Sequence, residues 1–382
     1  MPLVYVVAAE PSGDHIGALL IKALKEEAQG RIRIAGIGGP AMVKAGLRSL
    51  FNPADLALLG IFEVLPKARM VLKRVAQTVA DIETRNPAVL VTIDSWGFTG
   101  RIHERLAKKN SLIKRVRYVA PQVWAWRPGR AKQLARWIQH LMTLFPFEPP
   151  YFTKYGLETS WVGHPVLESG ADKGDAARFR QAHDISADET LLTVLPGSRS
   201  GEVSRLLGVF GDTVRALAQQ VPNLRIVVPT VANVEARVRA GVAAWPGQPI
   251  VVMADHYDAF AASRAALAAS GTVSLELAMA GLPHVIAYKV NPLSALALRM
   301  LIKTKFVNLV NVLLGRVAVP ERLQGDCNGS VLTADMLRLM NDEAVREAQK
   351  ADFKTALAKL APEGLTPSRQ AARKVLEFVL KQ

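Results

Sequence analysis

Mainly apolar runs recur along this chain, each followed by a turn and a helical stretch. In the first half they fall at residues 3–8 (LVYVVA), 32–37 (IRIAGI), 88–93 (AVLVTI), 116–120 (VRYVA) and 141–145 (LMTLF). Strands that are apolar throughout are covered on both faces, and strands that alternate with helices pair in parallel through crossovers. Residues 165–189 break the series with a more polar stretch, read as a linker and a helix without a strand. The series then restarts as LLTVLPGSR, LRIVVPT, PIVVMA, AALAAS and PHVIAYK between residues 191 and 289. At 382 residues the chain exceeds one average core. The pattern therefore predicts an α/β protein of two doubly wound domains, over residues 1–165 and 166–355, with a cleft between them. The tail from Thr333 is helical, and Thr366-Pro367 suits the start of a last helix, within about 360–382, that returns to the first domain.

Composition narrows the setting. Half of the residues are hydrophobic, as in a globular protein with large cores. The single cysteine, Cys327, rules out an intrachain disulfide and a cysteine zinc site. The opening residues run as a strand into a turn rather than as a charged leader, which predicts a chain that stays in a reducing cytosol. No window reaches the roughly 18 apolar residues of a membrane span; the nearest, LALLGIFEVL at 56–65, is interrupted by Glu63 and Pro66. The excess of 48 basic over 33 acidic residues, a net +15, fits nucleic acid, an anionic membrane surface or phosphorylated substrates.

Ligands of doubly wound sheets bind outside the carboxyl ends of strands, so the loops there carry the candidates. AEPSGDHIGA at 9–18 sits where such proteins hold phosphates, yet it places Glu10 and Asp14 there, and carboxylates repel phosphate. Asp94 ends a buried strand in AVLVTIDSWGF, placed either as a general base or as the cap of its own turn. In LLTVLPGSRSGEV, Gly197, Ser198 and Arg199 precede a helix, an anion site or an ordinary turn with a surface arginine. In AALAASGTVSLELAMAGLPHVIAYK, Ser270, Gly271 and Thr272 let a ligand approach the backbone, and Glu276 lies one turn into the helix, where a carboxylate could accept from two ribose hydroxyls. APQVWAWRPGRAKQLARW at 120–137 interleaves three tryptophans with Arg127, Arg130, Lys132 and Arg136; with no nucleic-acid module around it, a packed loop with a basic rim facing an anionic ligand is favoured. The stretches 55–74 and 292–306 set apolar beside cationic residues, as amphipathic core helices or the face of an anionic bilayer would. His164 in VGHP reads as a packed hinge residue or a cleft-lining one. GxGxxG after the first strand, GxxxxGK[ST], HExxH and a metal-holding Asp-x-Asp pair are all missing.

Together these pieces resemble the lipid-A-disaccharide synthase family. The matching stretches are AAEPSGDHIGA, GIGGPAM, LALLGIFEVL, YVAPQVWAWRPGR, LFPFE, VGHP, LPGSR, ASGTVSLELAMAGLPHVIAYK and FVNLVNVLLGR followed by VPERLQ, in order across nearly the whole chain. The resemblance implies a GT-B glycosyltransferase: two facing Rossmann-like domains, the second holding a UDP-sugar. It implies transfer of 2,3-diacylglucosamine from UDP to the 6-hydroxyl of 2,3-diacylglucosamine 1-phosphate, with inversion, no metal and no cofactor. It further implies work at the cytoplasmic face of the inner membrane of a Gram-negative bacterium, and for some members a homodimer that exchanges C-terminal segments.

Carried onto this sequence, the resemblance makes Asp94 the base and sets Gly197, Ser198 and Arg199 against the UDP diphosphate, with Ser270, Gly271 and Thr272 beside it. Glu276 would hold the ribose, and Asn308 or Asn311, Glu321 and Gln324 would lie near the donor sugar. Glu10, Ser12, Gly13 and Asp14 would face the acceptor, and Leu59, Ile61, Phe62, Val64, Leu65, Lys67 and Arg69 the membrane. The chain departs from the family where Ser95-Trp96-Gly97-Phe98 replaces Pro-Asp-Phe after the aspartate, removing a second carboxylate, and where Leu309-Val310-Asn311-Val312 replaces Leu-Pro-Asn-Leu. UDP-GlcNAc 2-epimerase shares the architecture and is the alternative; it has no use for interfacial apolar patches.

Overall fold

The computed structural model describes residues 1–53, 64–269, 271–291 and 304–380. The chain divides into two units, Met1–Pro165 with Leu360–Gln382, and Val166–Lys359.

Unit 1 is built on six parallel strands: β1 (Leu3–Ala8), β2 (Arg33–Ile37), β3 (Val89–Ile93), β4 (Lys114–Tyr118), β5 (His140–Thr143) and β6 (Glu158–Trp161). Their spatial order is β2-β1-β3-β4-β5-β6, with Val4 beside both Ile34 and Val89. Every residue of β1 and β3 is buried, as unbroken apolar strands require. Tyr5, Val7 and Leu90 pack on the helices Val64–Arg85 and Trp96–Lys108. The C-terminal helix Pro367–Leu380 lies against Pro11–Glu27 and reaches β3 and β4. It buries Ala371, Ala372, Val375 and Val379, and Arg369 and Arg373 donate to the two carboxylate oxygens of Glu27 at 2.7 Å each.

Unit 2 begins with short 3-10 turns and the helix Ala176–Ala182, the polar stretch of the sequence. Its strands are β7 (Thr190–Leu195), β8 (Leu224–Pro229), β9 (Ile250–Val252), β10 (Ala265–Ala269), β11 (His284–Tyr288) and β12 (Glu321–Leu323), all parallel, in the order β12-β11-β10-β7-β8-β9. The core joins these strands to the helices Ser200–Ala218 and Gly329–Asn341.

Of the segments read as interfacial, Leu59, Ile61 and Phe62 and most of 292–306 lie outside the described residues. Val64, Leu65 and Lys67 fall in the first turn of Val64–Arg85, and Arg69 is exposed on it. Among the described residues no helix is long and apolar enough to cross a membrane.

Candidate active site

The crevice of a doubly wound sheet opens where successive crossovers diverge, at the carboxyl ends of the strands. In unit 1 that point lies between β1 and β3, since β2 flanks β1 on one side and β3 to β6 extend on the other. Glu10 follows β1 and Asp94 follows β3, so the sheet brings both predicted carboxylates to its switch point.

The Asp94 turn is strained and braced. Asp94 and Ser95 both adopt left-handed backbone, at φ 48° and 47°, a cost of about 1–3 kcal/mol each for non-glycine residues. The brace is Arg117 of β4, wholly buried. Its guanidinium donates to the Asp94 carbonyl (3.0 Å), the Val119 carbonyl (3.0 Å) and the Thr99 hydroxyl (2.8 Å), and that hydroxyl donates to the Asp94 carbonyl at 2.6 Å. Burial pulls Arg117 down to about 10, opposed by the Asp94 and Glu10 carboxylates and reinforced by Arg130. One buried cation thus shares its field with both candidate carboxylates. The Asp94 side chain is half-buried and accepts no hydrogen bond from the described residues, so its oxygens are open to a ligand. Sequence reasoning missed Arg117. The available signal was an arginine inside the apolar run VRYVA, where a buried charge must find several acceptors.

Asp14 turns to a neighbouring helix. Its two oxygens accept from the Ala41 and Met42 N–H groups at 2.9 and 3.0 Å, capping the short helix Pro40–Lys44. Gly17 faces Met42 of that helix rather than the sheet, and a Cβ there would collide with the thioether. Gly13 could carry a Cβ at ordinary contact distance, 3.5 Å from Ala8 and Ile93. Ser12 is exposed on the first turn. Glu148, from LFPFE, is buried and accepts from the Leu144 and Phe145 N–H groups (3.1 and 3.0 Å) and from Trp124 (3.3 Å). It pins the tryptophan loop to the end of β5, and burial raises it to about 7. His164 is packed: its ring lies 5.3 Å from Phe145, and burial lowers it to about 3.

The switch point of unit 2 lies between β7 and β10, by the same divergence of crossovers. The loop after β7 is Pro196–Arg199, and the loop after β10 holds Gly271 and Thr272, both exposed; Ser270 lies outside the described residues. Gly197 has φ 115°, and a Cβ there would sit 2.9 Å from Glu202, so the close turn requires glycine. Asn233 holds the Ser198 carbonyl at 2.8 Å. Arg199 caps the helix Ser200–Ala218 and pairs with Glu202 at 3.1 Å, its own side chain 77% exposed. Such an exposed pair is worth only about 0–1 kcal/mol, too little to keep Arg199 from an arriving phosphate. Glu276 is half-buried and unbonded among the described residues, and burial raises its carboxyl to about 7. Tyr257 feels that carboxylate; burial and Glu276 together push its hydroxyl to about 12.

The polar cluster ahead of β12 separates two residues that the sequence left interchangeable. Asn311 is fully used: its Oδ1 accepts from Ala318 and Val319 N–H (2.8 and 2.9 Å), and its Nδ2 donates to the Val319 carbonyl (2.8 Å) and to Glu321 (2.7 Å). Glu321 also accepts from the Val307 and Asn308 N–H groups at 2.9 Å each. Both side chains therefore organise the 307–321 loop from within. Asn308 caps the helix Leu309–Leu314 through Oδ1, and its buried Nδ2 has no partner. Gln324, at φ 52°, sets its amide against the Val290 backbone and pairs with both N–H and C=O in one amide orientation.

Among solved structures the chain is similar to S. aureus MnaA in complex with UDP (TM-score 0.68, 11% identity, covering 99% of this chain and 96% of that one). It is also similar to UDP-GlcNAc 2-epimerase from Neisseria meningitidis bound to UDP-GlcNAc (0.64, 11%, all of both chains). The calicheamicin glycosyltransferase CalG4 is a further neighbour (0.59, 14%, 100% and 99%). These likenesses define the fold as the GT-B class, with the candidate residues at the switch point of each sheet. The lipid-A-disaccharide synthetase family model matches residues 4–375. Lipid-A-disaccharide synthases of Rhodospirillum centenum (48% identical, covering 100% of this chain and 95% of that protein) and Paramagnetospirillum magneticum (50%, 99% and 97%) align end to end. The chain belongs to the lipid-A-disaccharide synthase family, a family of glycosyltransferases.

Proposed function

We propose that the chain transfers 2,3-diacylglucosamine from UDP to the 6-hydroxyl of 2,3-diacylglucosamine 1-phosphate with inversion, giving the β-1,6-linked disaccharide phosphate and UDP. The observation that carries this reading is the pairing of chemistry with topology. Unit 1 keeps Asp94 and Glu10 at its switch point around one buried arginine, and unit 2 keeps a glycine-bearing loop, Arg199 and an unbonded Glu276 at its own.

Inversion in one displacement needs a base on the acceptor hydroxyl and a stabiliser for the leaving diphosphate. Asp94 takes the proton from the 6-hydroxyl, with its turn fixed by Arg117. The acceptor oxygen then bonds to the anomeric carbon as the bond to UDP breaks. Charge developing on the diphosphate is met by Arg199 and the helix start behind Gly197, which supply without a metal the positive potential the leaving group needs. Glu276 holds the ribose. Asn308, whose buried Nδ2 is left unpaired, and Gln324 flank the donor sugar. The apolar and cationic stretch around 55–74, with the net charge of +15, suits acyl substrates drawn from the anionic cytoplasmic face of the inner membrane.

Mass spectrometry of the product from a defined pair of diacyl substrates tests this. A disaccharide 1-phosphate together with released UDP is expected. Conversion of UDP-GlcNAc alone to ManNAc would favour the epimerase alternative, for which the structural likeness supports the fold only.

A further inference from the structure

The loop after β4 holds two arginines without an acidic neighbour. Arg127 and Arg130 form no ion pair and donate no side-chain hydrogen bond among the described residues. Elsewhere in the chain, Arg178, Arg316 and Arg322 each fork onto a carboxylate, that of Asp258, Asp352 and Asp335 respectively. The two loop arginines lie on aromatic faces instead. Arg127 sits 4.5 Å from the Trp126 ring, and Arg130 lies 5.2 Å from Trp126 and 4.9 Å from Trp96. Trp96 is backed by Trp137, with ring centroids 5.9 Å apart.

Stacking fixes the plane of a guanidinium but leaves its edge N–H groups unbonded. Arg130 is also partly desolvated, and burial and the neighbouring Arg127 both depress its pKa. Two like charges held together on a rigid platform with open donor edges fit an anion. The platform belongs to the Asp94 site. Trp96 is two residues beyond Asp94, and Arg130, Asp94 and Glu10 all act on the Arg117 guanidinium.

We propose that Arg127 and Arg130 form the subsite for the phosphate monoester of the acceptor sugar. This rests on the reading of Asp94 as the base for the acceptor hydroxyl. A monoester carries a charge of about −1.5 to −2 at pH 7, whereas each phosphate of a UDP-sugar is a diester with a single charge. A pair of arginines therefore favours the phosphorylated acceptor over a second donor molecule, which has the same acylated sugar and the same 6-hydroxyl. Trp126 and Trp96 act as positioning residues for the two guanidinium groups.

UDP release is measured with 2,3-diacylglucosamine 1-phosphate and with the same acceptor lacking phosphate, for wild type, Arg127→Gln, Arg130→Gln and Arg130→Lys. Wild type should prefer the phosphorylated acceptor by roughly 10- to 100-fold in kcat/KM, the worth of charge-assisted bonds to one phosphate. Both glutamine variants should collapse that ratio toward one, and Arg130→Lys should restore part of it. Arg127 is exposed, so its variant keeps the fold if Arg130→Gln does not. A ratio unchanged in both glutamine variants overturns the assignment. A phosphate of a lipid headgroup has related chemistry, so vesicles of phosphatidylglycerol and phosphatidylcholine form a second arm. Loss of phosphatidylglycerol binding with the acceptor ratio intact would also overturn it. If wild type turns over neither acceptor, the synthase reading fails, and calorimetry with glucosamine 1-phosphate against glucosamine judges the subsite alone. Phosphate-dependent binding lost in Arg130→Gln supports it, and no such binding in wild type overturns it.

Discussion

Replacing Glu276 with glutamine tests whether the open carboxylate of unit 2 is a ligand group. In the folded chain burial moves its pKa from the ordinary 4.5 to about 7. The fold thus prefers the protonated form. That preference stabilises the protein fully below pH 4.5 and is lost as pH rises through 7, a span of about 3 kcal/mol. Ribose hydroxyls donating to the carboxylate would favour its charged form and lower its pKa again. UDP binding at neutral pH should therefore release a proton. Below pH 7 wild-type UDP affinity should fall, approaching tenfold per pH unit. Glu276→Gln should bind UDP roughly 10- to 100-fold more weakly, the worth of bonds to a charged acceptor, with no dependence on pH over this range from position 276. Calorimetric titration with UDP at pH 6, 7 and 8, in two buffers of different ionisation enthalpy, measures both affinity and proton release. Wild-type affinity that is flat with pH and equal to that of the variant would refute the reasoning.

Asp94→Asn should lower kcat by about 10²- to 10⁴-fold, the usual worth of a general base, while the KM for the UDP-sugar changes little; steady-state UDP release reads both. Arg117→Met leaves the Val119 carbonyl and the Thr99 hydroxyl without their arginine donor, takes one of two donors from the Asp94 carbonyl, and should cost about 2–5 kcal/mol of stability, seen in thermal melting together with lost turnover. Asp14→Ala removes the cap of Pro40–Lys44 and should cost about 1–2 kcal/mol without changing the acceptor KM; a raised acceptor KM at unchanged melting temperature would restore Asp14 to the sugar site. Asn311→Ala should act mainly on the melting temperature and Asn308→Ala mainly on the donor KM, and the reverse pattern would exchange their roles. EDTA should leave turnover unchanged, as strong inhibition would reveal a metal in the mechanism.

The fold was legible because its determinants are local. A run such as AVLVTI states its burial on both faces within six residues, and its alternation with helices dictates the parallel crossover. The same locality exposed Glu10, Asp94 and Gly197, which stand just beyond the end of a strand, and Glu276, one turn into the helix that follows β10, so all four inherit the switch point from topology alone.

What the sequence hid are the side chains whose partners are remote along the chain. Arg117 reaches Asp94 across 23 positions, and Asp14 reaches Ala41 across 27. No spacing rule links such pairs, since the sheet alone makes them neighbours. The distinction between a binding group and a structural one then depends on which polar atoms remain open after folding. Asn308 and Asn311 are chemically identical and three positions apart, yet Asn311 spends its whole amide on its own loop while Asn308 keeps a buried N–H₂ unpaired. Arg127 and Arg130 differ from Arg178, Arg316 and Arg322 in the same way: the latter three spend their donors on carboxylates, whereas the first two lie on tryptophan rings and make no side-chain hydrogen bond among the described residues. An unspent buried or stacked donor carries a desolvation cost that the folded chain bears without return unless a ligand meets it. Residue type at the end of a strand thus points to the candidate site, and the unsatisfied atoms within it single out the groups we propose to meet the substrates.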